Sequence, residues 1–407
     1  MRALRYLTTF RCVAEACPDT CCAGLRVPVD RASLQRLRTL TAHEDPLGVR
    51  THLEEGAPHA PAEVAAYTRM DRANVCSFLD AERHCGLQKR YGLDGLGDVC
   101  AMFPRAARAR PHHGEVTGSM ACPEALRLLV ETPEPLTWVD VSPDFLPRRT
   151  EGTAAGADDP TSRPLRASLV EPLREALVRG LTQEAVPLGA RWLLAGQLCL
   201  GFEGRWDAVA EREGLAGELE RCARHGSVPA GLEAQRLLTS LDLPLEKVLE
   251  LLTGLVSNRL ALPHPTRVAE LMARAGPVST WGERFMEARR ALEGPLLRRI
   301  ERNLALVAAN ALLRNPVALD ADPTKALGTL MLSSTLASVL LTLQLTGAEV
   351  GQDRVDTCTV ETLQVLAKYL DGHEVMKTRA DALFDVPGDD RLRRMLLLAK
   401  VFPAPSA

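Results

Sequence analysis

The sequence predicts a mainly α protein, with a cysteine-rich, metal-stapled N-terminal region packed on a larger helical domain. Three observations predict it. Apolar residues recur at helical spacing from about residue 166 almost to the end, eight of the eleven cysteines fall in the first 122 residues, and strand-like alternation is scarce. The 407 residues suit one large or two ordinary domains, and 46% hydrophobic with 25% charged residues excludes a disordered or fibrous chain. With 49 basic against 52 acidic side chains there is no general field for nucleic acid or an anionic membrane. An aromatic content of 4% is too low for the usual base-stacking reader.

Taken in order, residues 1–130 read as the cysteine-cluster region, with short helical segments between turn residues. Met1–Phe10 carries Arg2 and Arg5 and has no apolar run of the signal-peptide kind. The expected compartment is therefore the reducing cytoplasm, where clustered thiols bind metal more often than they pair. The segment 25–29 is the clearest strand, and Pro28 demotes it to an edge. Residues 131–165 contain Pro133, Pro135, Pro143, Pro147, Pro160 and Pro164 with a small-residue run at 152–157, the composition of a linker or long surface loop.

Residues 166–407 read as the helical domain. Leu173, Ala176, Leu177 and Leu181 mark one face, and Leu245, Val248, Leu249, Leu252 and Val256 another. Pro244 stands at a first turn, and Pro316 closes a pattern ending near Arg314. The uncharged stretch 326–348 is long enough to span a bilayer. Its hydroxyls, Thr329, Ser333, Ser334, Thr335, Ser338, Thr342 and Thr346, with Gln344, instead suit a helix crossing a protein interior and bonding back to its preceding turn. No membrane span is expected. Trp138, Trp192, Trp206 and Trp281 read as core or interface anchors.

The cysteines carry the chemistry. Cys12, Cys17, Cys21 and Cys22 are spaced C-x4-C-x3-C-C, with Gly24 close behind, so one loop can present several thiolates. Zinc, or iron in a sulfide cluster, suits such ligands. The spacing differs from the C-x3-C-x2-C of radical S-adenosylmethionine enzymes. Adjacent Cys21 and Cys22 serve one centre awkwardly or point to two. Cys76, Cys85, Cys100 and Cys122 follow at wider intervals, and any one of them reads equally well as a core residue. Eight in under a third of the chain do not.

Around these cysteines the chain resembles the flagellin lysine-N-methylase family. The resemblance runs through Tyr6, Phe10, Cys12, Cys17, Cys21, Cys22, Gly24 and Asp30, then Cys76, Phe78, Leu79, Cys85, Leu87, Gln88, Gly92, Leu96, Asp98 and Cys100. Pro104 with Arg105, and Ser119 with Cys122, Pro123 and Glu124, complete it. Downstream, Glu301, Asn303 and Leu304 resemble the family's Glu-Asn-Tyr-Leu segment. Leu25 stands where the family usually has tryptophan, a departure that bears on substrate rather than scaffold.

The resemblance implies methyl transfer from S-adenosylmethionine to lysine side chains of a protein substrate, flagellin in the family, with an iron–sulfur cluster of the 4Fe-4S kind. It makes all eight clustered cysteines metal ligands. No Gly-rich turn joins a strand to a helix, so the cofactor is not expected in a Rossmann site. Asp98, Glu124 and Glu301 match family positions and are candidates to take the proton from the lysine amine. Ordinary capping or ion pairing is the competing account of each. Arg105 heads a basic stretch with Arg108, Arg110, His112 and His113, and is the one expected to offset thiolate charge or hold a cofactor carboxylate. The rest read as a solvated face. A non-catalytic zinc-stapled interaction protein and an iron–sulfur redox protein are the alternatives.

Overall fold

The computed structural model describes residues 1–57, 60–110, 113–148, 164–202, 205, 212–225, 228–241, 245–257, 265–292, 294–315, 322–345, 350–369 and 380–402. His112, the run 152–157, Pro160, Trp206, Pro244, Pro316 and Thr346 lie outside them. The chain divides into two compact units, Met1–Ala155 and Gly156–Ala407.

Unit 1 runs β1 (Arg2–Leu4), β2 (Pro28–Asp30), α1 (Arg31–Leu40), α2 (Val49–His52), β3 (Leu53–Glu55) and β4 (Val64–Thr68). It continues with α3 (Gly86–Tyr91), α4 (Asp98–Met102), β5 (Arg105–Ala109), β6 (Gly114–Gly118), α5 (Pro123–Glu131) and β7 (Trp138–Asp140). The strands form a four-stranded sheet, β5-β6-β1-β7, and a three-stranded antiparallel sheet, β2-β4-β3. In the larger sheet β1 is parallel to β6 and antiparallel to β7, with Arg2 opposite both Glu115 and Asp140.

The two sheets add short strands to a mainly α chain, and most of them were not read from the sequence. Each strand has only three to five residues, too few for alternation to register. The strand expected over 25–29 begins only at Pro28: β2 (Pro28–Asp30) lies at the sheet edge, with a bulge at Val29–Asp30. The structured region also runs past residue 131. After α5 the chain turns back, the carbonyls of Pro135 and Thr137 accept from the Tyr6 and Arg5 amides, and β7 pairs with β1. The Arg2 guanidinium lies over the Trp138 ring at 4.7 Å.

Local chemistry sets the helices. Asp30 caps α1, its Oδ1 accepting from the Ser33 amide at 2.8 Å, while Leu34 and Leu37 bury the inner face. Pro123 opens α5, and Ala125, Leu126, Leu129 and Val130 bury one stripe.

Unit 2 is helical throughout its described residues: α6 (Pro164–Leu181), α7 (Leu188–Phe202), α8 (Arg212–His225), α9 (Val228–Ser240), α10 (Leu245–Ser257) and α11 (Pro265–Ala275). Then come α12 (Trp281–Ala291), α13 (Gly294–Arg314), α14 (Pro323–Gln344), α15 (Gln352–Tyr369) and α16 (Gly388–Ala399). α14 is the hub, touching α7, α11, α12, α13, α15 and α16. By length and composition it is apolar enough to cross a membrane, yet 78% of its most apolar stretch is buried in the protein. Thr329, Thr335 and Thr342 donate to the carbonyls of Lys325, Met331 and Ser338 at 2.9, 2.7 and 2.8 Å. Those bonds satisfy the hydroxyls within the apolar core. Trp192 and Trp281 are fully buried anchors.

Two glycines let α16 close on α7. A Cβ at Gly189 would lie 2.8 Å from the Ala399 carbonyl, and one at Gly196 the same distance from the Met395 sulfur. Seven residues apart, they share one helical face.

Candidate metal centre

The thiols of unit 1 are positioned by short loops tied to each other through the backbone. The loop bearing Cys21 and Cys22 lies along residues 70–76. Gly24 donates to the Asn74 carbonyl at 2.9 Å, Cys76 donates to the Cys22 carbonyl at 2.7 Å, and Ala23 bridges to Val75. Gly24 (φ 82°) and Asn74 (φ 60°) take the left-handed conformation this return requires. A second small loop closes where Leu79 bridges to Cys85 and Gly86 donates to the Phe78 carbonyl at 2.7 Å. Cys76 is part of the core beneath the three-stranded sheet, with Leu34, Leu37, Phe78, Leu96 and Ala101, and Cys22 and Cys85 pack against it.

The remaining thiols lie differently. Cys12 and Cys21 are exposed and Cys17 is half-buried. Cys122 is buried at the start of α5, where the Ala125 and Glu124 amides favour its thiolate. Cys100, on α4, is exposed to solvent.

Burial pushes the Cys76 thiol up to about 11 and the Cys122 thiol up to about 12; Cys85 is raised by the same cause. Cys21 is raised above all by the hydrogen bond it shares with Cys22. Each of these groups also feels neighbouring thiols as like charges.

The sulfurs are not drawn up tightly. Among the described residues, the one trio of metal-ligand atoms within 4.8 Å of each other is Asp80, Glu82 and His84. Lys89 already pairs with both carboxylates there, and His84 with Glu15. A single tetrahedral zinc ion would hold sulfurs about 3.8 Å apart, from Zn–S bonds of about 2.3 Å.

Arg105, at the start of β5, is the clearest non-cysteine member. Its guanidinium lies 4.9 Å from the Phe10 ring and 5.3 Å from the Phe145 ring, and donates to the Phe10 carbonyl at 3.3 Å. Its Nε is buried without a hydrogen-bond partner, and the Cys122 thiol is near enough to act on its charge. Phe145 fell within the presumed linker, so the sequence offered no signal for it. The other basic residues do not form a solvated face: Arg110 and His113 join Arg2 on the buried Glu115, at 3.0, 3.3 and 2.5 Å.

The three carboxylates are all engaged. Asp98, in the first turn of α4, pairs with Arg36 and accepts from Ser33 Oγ, both at 3.3 Å. Glu124 is held bidentate by Arg127 at 2.7 and 2.8 Å. Glu301 belongs to unit 2, where its carboxylate accepts from the Leu188 amide at 3.2 Å at the head of α7. Burial raises Glu301, against the pull of that amide and of Arg191, Arg289 and Arg298. Unit 1 also has a groove of about 490 Å³ lined by Leu34, Arg38, Val49, Arg50 and Glu55, with no cysteine in its wall.

Comparison with known proteins finds the same kinship at low identity. Over 137 residues, about a third of this chain, it is 26% identical to the flagellar biosynthetic protein FliU of Salmonella muenchen, covering 76% of that protein. It is also 26% identical over 137 residues to the lysine-N-methylases of Salmonella typhimurium and Salmonella choleraesuis, covering 32% of each. The match thus spans about a third of the lysine-N-methylases' length. No family model matches the chain, and no solved structure matches it.

Proposed function

We propose that this protein methylates lysine side chains of a protein substrate, using S-adenosylmethionine and an iron–sulfur centre held by the thiols of unit 1. The observation that carries the reading is the concentration of eight cysteines in unit 1, with the Cys22, Cys76 and Cys85 segments tied through the backbone, in a chain distantly related to lysine-N-methylases. Flagellin is the substrate class the relatives' names suggest.

In the reaction, the lysine Nζ lone pair attacks the sulfonium methyl. The N–C bond forms as the S–CH3 bond breaks, its electron pair passes to sulfur, and S-adenosylhomocysteine leaves. The amine must be neutral to attack. Asp98, two residues before Cys100 and with 34% of its side chain exposed, is our choice to receive the proton released from Nζ. Arg105, held between two rings, supplies a fixed cation for the cofactor's carboxylate. A bound iron–sulfur centre would supply Lewis-acidic iron able to bind an amino-acid group.

The test begins with oxygen-free purification and assay of iron, sulfide and zinc per chain. The protein is then incubated with flagellin and methyl-labelled S-adenosylmethionine. Iron with matching sulfide and label on lysine is the expected result. Iron without methyl transfer would make the protein a redox carrier. Zinc alone would make it a scaffold.

A further inference from the structure

Building on the roles given above to Arg105 and Asp98, we infer that Phe145 and Arg148 are positioning residues. They belong to a strap, residues 143–148, that fixes the Arg105 guanidinium and the Asp98 carboxylate at the two ends of α4. That helix runs only from Asp98 to Met102, and Arg105 opens β5 just beyond it. So short a helix has little stability of its own. Beyond one end, the Phe145 ring lies 5.3 Å from the Arg105 guanidinium, on which Phe10 also packs. At the other, Arg148 donates to the Leu93 carbonyl and stands 3.5 Å from an Asp94 carboxylate oxygen. Its Nε lies 3.7 Å from Asp98 Oδ1.

The strap is stiff. The Ser142 hydroxyl caps one 3-10 turn, Pro143–Phe145, by accepting from the Asp144 amide at 3.3 Å. The Ser142 carbonyl accepts from the Phe145 amide at 3.0 Å. Pro143 and Pro147 fix φ on either side of Phe145.

The hold on Asp98 is one-sided. Arg36 Nη2 and Ser33 Oγ, both from α1, reach Oδ1 at 3.3 Å, the oxygen that Arg148 also approaches. Arg36 further donates to the Asp94 and Leu96 carbonyls at 3.1 and 3.0 Å, so two arginines grip the turn before α4. Among the described residues no partner reaches Oδ2, and 34% of the side chain is exposed. A carboxylate anchored through one oxygen presents the other in a fixed direction, as a group that must meet the lysine Nζ at hydrogen-bond distance requires. The two ends of the strap thus serve different halves of the reaction. Phe145 acts on the cofactor's carboxylate through Arg105, and Arg148 acts on the lysine through Asp98.

The test compares Phe145→Leu and Arg148→Gln in the whole protein purified without oxygen. Phe145→Leu is expected to weaken S-adenosylhomocysteine binding, and to raise KM for S-adenosylmethionine, roughly two- to fivefold with kcat unchanged. Phe145→Tyr, which keeps a ring, should behave as the natural chain. Arg148→Gln is expected to lower kcat about tenfold with that KM unchanged. A strap that only braced the fold would move both constants in both variants; that result, or unaltered kinetics in either, overturns the proposal. Amide hydrogen exchange reads the strap without turnover: Arg148→Gln should speed exchange in residues 93–102 and leave 123–131 as before. That local change in a chain that transfers no methyl group would uphold the strap while sinking the methylase reading. Methyl transfer with exchange unaltered would do the reverse.

Discussion

Arg105 combines a role in packing with one in charge, and the two can be separated. Arg105→Lys keeps the cation but loses the planar stack between Phe10 and Phe145. Charge-assisted hydrogen bonds contribute about 1.5–3 kcal/mol, so roughly a ten- to hundredfold weaker affinity for S-adenosylhomocysteine is expected. Equilibrium dialysis would show it, and unchanged affinity would remove Arg105 from the cofactor site. Asp30 gives a stability prediction with a definite pH sign. Burial opposes its charge, but hydrogen bonds from Ser33 Oγ and the Ser33 amide outweigh that and hold the carboxyl below its usual range. A depressed folded value means the cap stabilises fully above the unfolded value of about 3.9 and fades as pH falls through the folded one. Asp30→Ala is expected to destabilise by about 1 kcal/mol at pH 7 and by little near pH 2, measured by urea denaturation.

At the scale of elements, helices were far more legible than strands. The repeat of Leu173, Ala176, Leu177 and Leu181 lies within α6, and that of Leu245, Val248, Leu249 and Leu252 within α10, because 3.6-residue periodicity is local. β5, with its Arg105-to-Ala109 sequence of two arginines and three alanines, owes its extended state to pairing with β6, and pairing is not written in five residues. The concentration of thiols was legible from composition, but not that the Cys22 segment meets the Cys76 segment, since linear spacing does not say which loops touch. The α7–α16 contact supplies a paired test. Gly189→Ala drives a methyl toward the Ala399 carbonyl and should cost about 1–3 kcal/mol. Gly254→Ala, on α10 with open space around it, should stabilise by up to about 1 kcal/mol. Equal effects in chemical denaturation would contradict this account of the close helix approach.

For the whole molecule, the division into two units predicts two kinds of response to metal removal. Unit 2 is secured by apolar helices around α14, whereas unit 1 has short strands and loops joined at cysteines. Stripping the metal with a chelator under reducing conditions should lower the unit 1 calorimetric transition by roughly 10 °C or more while leaving the unit 2 transition in place. A single transition shifted as a whole would argue against this independence. The stretch read as linker contains β7, because Pro133 and Pro135 carry the signature of a loop while the chain there turns back to pair with β1.

The place of β1 has a consequence for the order of events on the ribosome. Arg2 pairs with Glu115, 113 residues later in the chain, and its strand is flanked on the other side by β7. The four-stranded sheet therefore closes only after residues 138–140 have left the exit tunnel, long after β1 itself. A nascent or truncated chain that stops short of β7 carries β1 without one of its two partners.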